Sequence, residues 1–114
     1  MGLKALRPSL REKKRYVTFE MITQTPVGLS SVATAIEDSF HDLYGTIGLA
    51  SAGLLIIKEK YNSARQRGVV RVTHTSVQPL MASFAWLNSC NGAPAIVHSL
   101  SCSGMLNTAA KAIN

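Results

Sequence analysis

Hydrophobic and polar positions alternate over residues 13–24, KKRYVTFEMITQ. Val17, Phe19 and Met21 fall on one face of this stretch, and Tyr16 falls on the other. A period of two is typical of a strand with one buried face. We therefore predict a first strand here, and a run of basic residues stands at its start.

The next periodic segment has helical spacing. In LSSVATAIEDSFHDLYG, residues 29–45, the apolar residues Val32, Ile36, Phe40 and Leu43 recur on one helix face. Serines near its start can cap a helix, and the glycine at its end favours closure there. We predict a first helix over this segment.

The rest of the chain predicts two more strands, a second helix, a fourth strand and a short terminal helix. These segments are, in order, 51–61, 68–74, 76–89, 93–104 and 105–113. The order β-α-β-β-α-β is that of the ferredoxin-like fold, an α+β sandwich that RNA-recognition motifs also use. It predicts a four-stranded antiparallel sheet, in the spatial order fourth, first, third, second, with helices on one face. Residues 1–12 lack any period and contain Pro8, so we interpret them as a flexible basic arm before a single domain, 13–114.

Positive charge is concentrated in two blocks. The chain has 114 residues, a net charge of +6 and a pI of about 9.8. Residues 1–20 hold six of the twelve Lys and Arg, and residues 58–71 hold five, whereas residues 21–57 hold none. A basic balance of this size is typical of proteins that bind nucleic acid, an anionic membrane or an acidic partner.

The two blocks are predicted to meet at one edge of the sheet. If the first and third strands are parallel neighbours, their starts, residues 13–15 and 65–71, share that edge, and the second strand ends there with Lys58 and Lys60. The result would be one basic rim suited to phosphates, which responds to shape more than to sequence. The alternative is charge that only keeps the protein soluble.

Residues that commonly carry catalysis lack a recognisable pattern. The acids and the three histidines have no ligand-like spacing, and Cys90 and Cys102 fit neither a metal cluster nor a disulfide framework. We predict no catalytic residue and no cofactor or metal bound by the protein. No apolar run is long enough to span a bilayer, and we expect a cytoplasmic protein.

The predicted sheet face is a poor platform for bases. RNA-recognition motifs stack bases on aromatic rings of the first and third strands, but the third strand here, RGVVRVTH, has valines at those positions. Tyr16 is the single candidate ring. We therefore interpret the open face, with Tyr16 and Val69, as a candidate protein-partner interface. SCSGM at 101–105 is interpreted as a tight turn, with phosphate binding by its backbone as the alternative.

Three segments, in order, resemble one known family. LRPSLREKKRY at 6–16, GVVRV at 68–72 and VHSLSCSGML at 97–106 resemble ribonuclease P protein component 2, and the compact length is similar to that of archaeal members. The resemblance implies a ribozyme subunit that binds the catalytic RNA, which removes 5′ leaders from precursor tRNA. It also implies magnesium on the RNA and a TIM-barrel-like protein partner, in a heterotetramer.

The resemblance also assigns the RNA contacts. It implies contacts by Arg11, Lys13, Lys14, Arg15, Arg67 and Arg71, and the predicted rim adds Lys60 and Arg65. Family members often carry a basic residue soon after the Ser-Gly, where this chain has Met105 and Leu106. Three alternatives stay open: a general structured-RNA-binding protein of ribosomal type, a ferredoxin-like regulatory or ligand-binding domain, and a protein scaffold.

Overall fold

A computed structural model describes residues 13–114, so the predicted arm and Arg11 lie outside the described residues. The elements are β1 (Lys14–Thr23), α1 (Leu29–Ala52), β2 (Leu55–Ile56), β3 (Arg67–Thr73), α2 (Val77–Trp86), β4 (Ser89–Cys90), β5 (Ala93–Ser103) and α3 (Leu106–Ala110). Short 3₁₀ turns cover Lys58–Lys60, His74–Ser76 and Lys111–Ile113. The α+β class and the predicted order of elements are present, with β4 added before the last strand.

The five strands form one sheet in the order β2-β3-β1-β5-β4, and every neighbouring pair is antiparallel. Without β4, this is the predicted spatial order. The additional strand arises because Asn91 and Gly92 both adopt positive φ, which closes a two-residue hairpin between β4 and β5. The expected four-stranded sheet is therefore five-stranded.

The prediction that the first and third strands run parallel is wrong. Lys14 pairs with Thr73 and Glu20 pairs with Arg67, so the start of β1 lies beside the end of β3. The physical reason is the number of reversals along the chain. The α1 crossover returns β2 to the direction of β1, and the connection into β3 then reverses the chain once more.

The apolar core lies between one face of the sheet and the helices α1 and α2. From β1 it includes Val17, Phe19 and Met21, the residues that the alternation predicted to be buried. From β3 it includes Val70 and Val72. The helices contribute Val32, Ile36, Phe40, Leu80 and Phe84. The rings of Phe19 and Phe84 pack at 6.3 Å between centroids. The predicted apolar face of β1 is thus the one that packs against the helices.

The first helix is longer than predicted and kinked. Gly45 has φ 75° and ψ −178°, a conformation that favours glycine, and a second helical segment then continues to Ala52. Ala52 is buried. As a consequence, the predicted strand over 51–61 shrinks to the two residues of β2 and a 3₁₀ turn.

The opposite face of the sheet is covered in its middle by residues 106–113, which we call the C-terminal segment. Thr18 Oγ1 on β1 donates to the Ala109 carbonyl at 2.7 Å, and Thr18, Ala109 and Val69 are all fully buried. Asn62 Nδ2 donates to the Ile113 carbonyl at 2.8 Å. The expectation of helices on one face only is therefore wrong, because small alanines let this segment approach the sheet closely.

Arg67 also fastens the end of the chain. Its Nη1 donates to the carbonyls of Asn114 at 3.0 Å and Ala112 at 3.5 Å. Its Nε lies 3.5 Å from Glu20 Oε2, an ionic contact without hydrogen-bond geometry, and the side chain is only 22% exposed. Arg67 therefore connects β3, β1 and the chain end.

We expect Gly68→Ala to lower the free energy of unfolding by about 1–3 kcal/mol through overpacking. A Cβ at position 68 would lie 2.9 Å from the Phe19 ring and 3.0 Å from the Tyr61 ring. Urea denaturation measures the loss. The matched control is Gly28→Ala, where nothing lies within 4 Å of the added Cβ; equal stability of the two variants would contradict the prediction.

We expect Arg67→Ala to cost about 1–2 kcal/mol of unfolding free energy, because two hydrogen bonds from a charged donor to the chain end are lost. Arg65→Ala removes the same charge from an exposed residue and should change stability by less than about 0.5 kcal/mol. Thermal and urea unfolding of both variants test this difference. Equal losses would show that Arg67 contributes only its charge.

Candidate RNA-contacting surface

One group of cations gathers where β1 begins. Lys13 and Lys14 are exposed there, and Arg15 is half-buried. Arg71 on β3 pairs with Tyr16 on β1. It lies two residues before Thr73, which pairs with Lys14. We call Lys13, Lys14, Arg15 and Arg71 the N-terminal cluster. Arg71 belongs to it because it lies near the end of β3, which antiparallel pairing places beside the start of β1.

Main-chain contacts fix this cluster. The His74 amide donates to the Lys13 carbonyl at 2.7 Å, and Arg15 Nη1 donates to the Lys14 carbonyl at 3.0 Å. A Cβ at Gly104 would lie 3.3 Å from the same guanidinium nitrogen, so the turn after β5 lies directly beside Arg15. Arg71 Nε is buried without a hydrogen-bond partner in the described part of the chain.

Within residues 13–114, no carboxylate pairs with a cation of the N-terminal cluster. Across residues 13–114, the one ion pair is Arg67 with Glu20. An unpaired cation that stays in water keeps its full attraction for an external anion. Among the described residues, no carboxylate competes with phosphates for the exposed Lys13 and Lys14.

A second group of cations lies in the connection from β2 to β3. We call Lys58, Lys60, Arg65 and Arg67 the turn cluster. Asn62 and Arg67 exchange two backbone hydrogen bonds, at 2.8 Å and 3.1 Å, and close the connection. Lys58 and Arg65 are exposed on it, whereas Lys60 is half-buried.

Gln66 supports the turn cluster, and sequence reasoning missed it. The residue has φ 54° and is buried. Its Nε2 donates to the Met21 carbonyl at 2.7 Å, and its Oε1 accepts from the Val27 amide at 2.8 Å. These bonds tie the turn to the end of β1. A glutamine between two arginines gave no signal of this role in the sequence.

The two clusters stand at opposite ends of the sheet. Thr73, beside Lys14, and Arg67, beside Glu20, are six residues apart along β3, which corresponds to about 20 Å at the rise of a strand. The single basic rim predicted from parallel strands is therefore wrong. Of the residues assigned to it, those at 13–15 join Arg71 at one end, and Lys60, Arg65 and Arg67 lie at the other.

The predicted partner face is closed. Val69 has no exposed surface, so it is unavailable to a partner. Tyr16 is half-buried, between Arg71 on one side and Ser103 on the other. Ser103 Oγ accepts from the Met105 amide at 3.1 Å, so SCSGM forms a turn that leads into α3.

The helix layer carries the opposite charge. Neither α1 nor α2 contains Lys or Arg, and α1 contains Glu37, Asp38 and Asp42. A cavity of about 530 Å³ beside α1 is lined by Asp38, Asp42 and Trp86 among others. Trp86, the last residue of α2, is 57% exposed. The exposed cations therefore concentrate at the sheet ends and the acids on the helices.

No group of side chains in the described part of the chain is placed to hold a metal ion. No three His, Cys, Asp or Glu side chains converge within residues 13–114. Cys90 is buried, and its Sγ lies 3.5 Å from the Ser31 carbonyl. Burial raises the pKa of the Cys90 thiol, which keeps it protonated and a poor nucleophile.

No helix of the described chain, residues 13–114, has the length and apolarity needed to cross a membrane.

Comparison with known proteins identifies the family. The model of the Rpp14/Pop5 family matches residues 15–114. Ribonuclease P protein component 2 of Methanosarcina barkeri is 34% identical, over 94% of this chain and 76% of that protein. Ribonuclease P protein component 2 of Thermococcus gammatolerans is 33% identical, over 90% of this chain and 84% of that protein. A chain of yeast ribonuclease MRP, solved by cryo-EM, has the same fold, with a TM-score of 0.65 at 15% identity over 84% of this chain and 77% of that one. The chain belongs to the Rpp14/Pop5 family.

Proposed function

We propose that this chain is a protein subunit of archaeal-type ribonuclease P, which binds the catalytic RNA that removes 5′ leaders from precursor tRNA. The observation that carries this is the family match over residues 15–114, which includes all five strands except the first residue of β1. Two features of the chain support it. Within residues 13–114, no carboxylate pairs with the cations at the end of the sheet where β1 begins, and no three His, Cys, Asp or Glu side chains are placed to hold a metal ion.

The proposed contribution is electrostatic. Phosphates that approach one another when an RNA folds repel, and magnesium ions ordinarily compensate this repulsion. Lysines and arginines that neutralise phosphates release condensed counterions and let the RNA fold at lower magnesium. On this view magnesium is held by the RNA, and the protein supplies cations at fixed positions.

A protein partner completes the proposal. We infer a TIM-barrel-like subunit of the same enzyme, in a heterotetramer with two copies of each protein, acting in the cytoplasm. Because the C-terminal segment covers the middle of the sheet face, the partner has to use another surface. Ile47, which is 83% exposed in the kinked half of α1, together with the exposed Leu43 and Tyr44, supports a contact on the helix layer.

The function is tested by cleavage of a precursor tRNA at limiting magnesium. The reaction contains the cognate ribonuclease P RNA and the TIM-barrel-like partner, with or without this chain. Cleavage that depends on the chain is expected. If a folded chain adds nothing to an RNA that is active at high magnesium, the proposal is wrong, and binding to folded RNA in general becomes the better account.

We expect Lys13→Ala with Arg15→Ala to weaken binding to the RNA and to lower the slope of log K against log salt by about two, one for each lost phosphate contact. The fold should persist, because Lys13 is exposed and the half-buried Arg15 lies outside the apolar core. Filter binding over a salt series measures the slope.

The matched control for this pair is Ser30→Glu with Thr34→Glu. It changes the net charge by the same amount, at exposed positions of α1. The control should leave the salt slope unchanged, since α1 is not expected to touch RNA. A similar slope change in both double variants would mean that net charge, and not the cluster, governs binding.

A further inference from the structure

We propose that the chain grips double-helical RNA at two points at once, with the N-terminal cluster on one stretch of backbone and the turn cluster on another. This inference rests on the proposed function and specifies the class of RNA that is bound. It follows from where antiparallel pairing places the cations, and from what lies between them.

The first argument is the separation of the clusters. Lys14 and Arg67 lie at the two ends of the β1–β3 pairing, six residues or about 20 Å apart, whereas Arg71 and Arg67 are four residues or about 13 Å apart along β3, and the paired strands β1 and β3 hold these positions. The phosphates of a double helix also lie at fixed positions, whereas a single strand can rearrange to satisfy one cluster alone. A rigid pair of cationic groups therefore favours a rigid partner, because little ordering entropy is lost on binding.

The second argument is that the surface between the clusters offers no path for stacked bases. Proteins that bind single strands place successive aromatic rings along a basic groove. Of the rings in residues 13–114, Phe19, Phe40 and Phe84 are buried in the core. Tyr44 and Trp86 belong to the helix layer.

Two tyrosines remain. The Tyr61 hydroxyl is buried, and Tyr16 is half-buried beside Arg71. The C-terminal segment covers Thr18, in the middle of the sheet face. This leaves phosphate contact, which suits double-stranded RNA recognised by its shape and backbone.

The third argument is orientation. α1 carries three acids and no Lys or Arg, so an RNA that approaches the helix layer is repelled. Among residues 13–114, the exposed cations other than Lys111 lie at the sheet ends, and one duplex can reach both ends together by lying along the sheet layer. One acid, Glu59, lies between Lys58 and Lys60 of the turn cluster, and Arg67 is paired with Glu20. Lys58, Lys60 and Arg65 are therefore its effective contacts.

Directed cleavage of the bound RNA tests the proposal. An iron chelate attached to a cysteine generates hydroxyl radicals that cut nearby RNA. Cys102 is exposed and pairs with Val17 on β1, next to the N-terminal cluster. For the turn cluster, the exposed Ser63 is replaced in a variant that carries Ser63→Cys and Cys102→Ser. Cys90 is buried and labels slowly, since its thiol pKa is raised.

We expect each probe to cut the ribonuclease P RNA, at two different segments that both belong to double-helical regions. Cuts from one probe only, or cuts confined to single-stranded loops, would overturn the inference. Labelled proteins are first shown to bind as the unlabelled chain does. If the unlabelled chain binds ribonuclease P RNA no better than a folded RNA of equal length, it is the proposed function that fails.

Salt dependence provides an independent measurement. Lys58→Ala with Arg65→Ala should lower the slope of log K against log salt by about two, as Lys13→Ala with Arg15→Ala is expected to do. A variant with all four substitutions should lower the slope by about four. On a single-stranded RNA of the same length, only one pair should affect the slope. A duplex slope that is insensitive to Lys58 and Arg65 would contradict two-point contact.

Discussion

The antiparallel pairing of β1 with β3 is the constraint on which the rest of this structure depends. Its register places Glu20 beside Arg67 and Lys14 beside Thr73. The pairing of Glu20 with Arg67 lets Arg67 reach both the Glu20 carboxylate and the carbonyl of Asn114. The pairing of Lys14 with Thr73 brings Arg71 close to the basic start of β1. One ladder of hydrogen bonds thus fixes both the closure of the sheet face and the positions of the cations.

The C-terminal segment completes the layer that this pairing starts. A sheet buried on one face only would leave the valine opposite Thr18 in water. Instead Thr18 donates to Ala109, and Val69 is buried as deeply as the residues of the main core. The fold therefore has helical segments on both faces, although only α1 and α2 carry an apolar stripe that the sequence displays.

Local patterns predicted local structure well. The alternation of β1 identified Val17, Phe19 and Met21 as core, and the order of elements gave the correct neighbours for four strands. The direction of β3 was also available from that order, because each crossover and hairpin reverses the chain a known number of times. The error in the basic rim was thus one of topology.

Other features had no local signal. The two residues of β4 are too few to show a period, and Gln66 acts through partners far along the chain, at Met21 and Val27. A period of two shows which residues share a face, but not what covers that face. For that reason Val69 was predicted to be open and is buried. Which end of the sheet a cation occupies is likewise a property of the assembled fold.

Under the proposed function, the division of charge between the layers explains what this chain contributes to an RNA enzyme. A protein that only neutralised phosphates could do so with cations spread over its surface, but it would then bind any RNA in any orientation. Here the acids on α1 and the cations at the sheet ends give the molecule an electrostatic direction, and rigid strands fix the distance between the two cationic groups. With the distance and direction of the two cationic groups fixed, the chain selects among RNA shapes, because only an RNA whose phosphates lie at matching positions can contact both groups at once. The specificity proposed for this family member is accordingly geometric, and it arises from the sheet and not from contacts with bases.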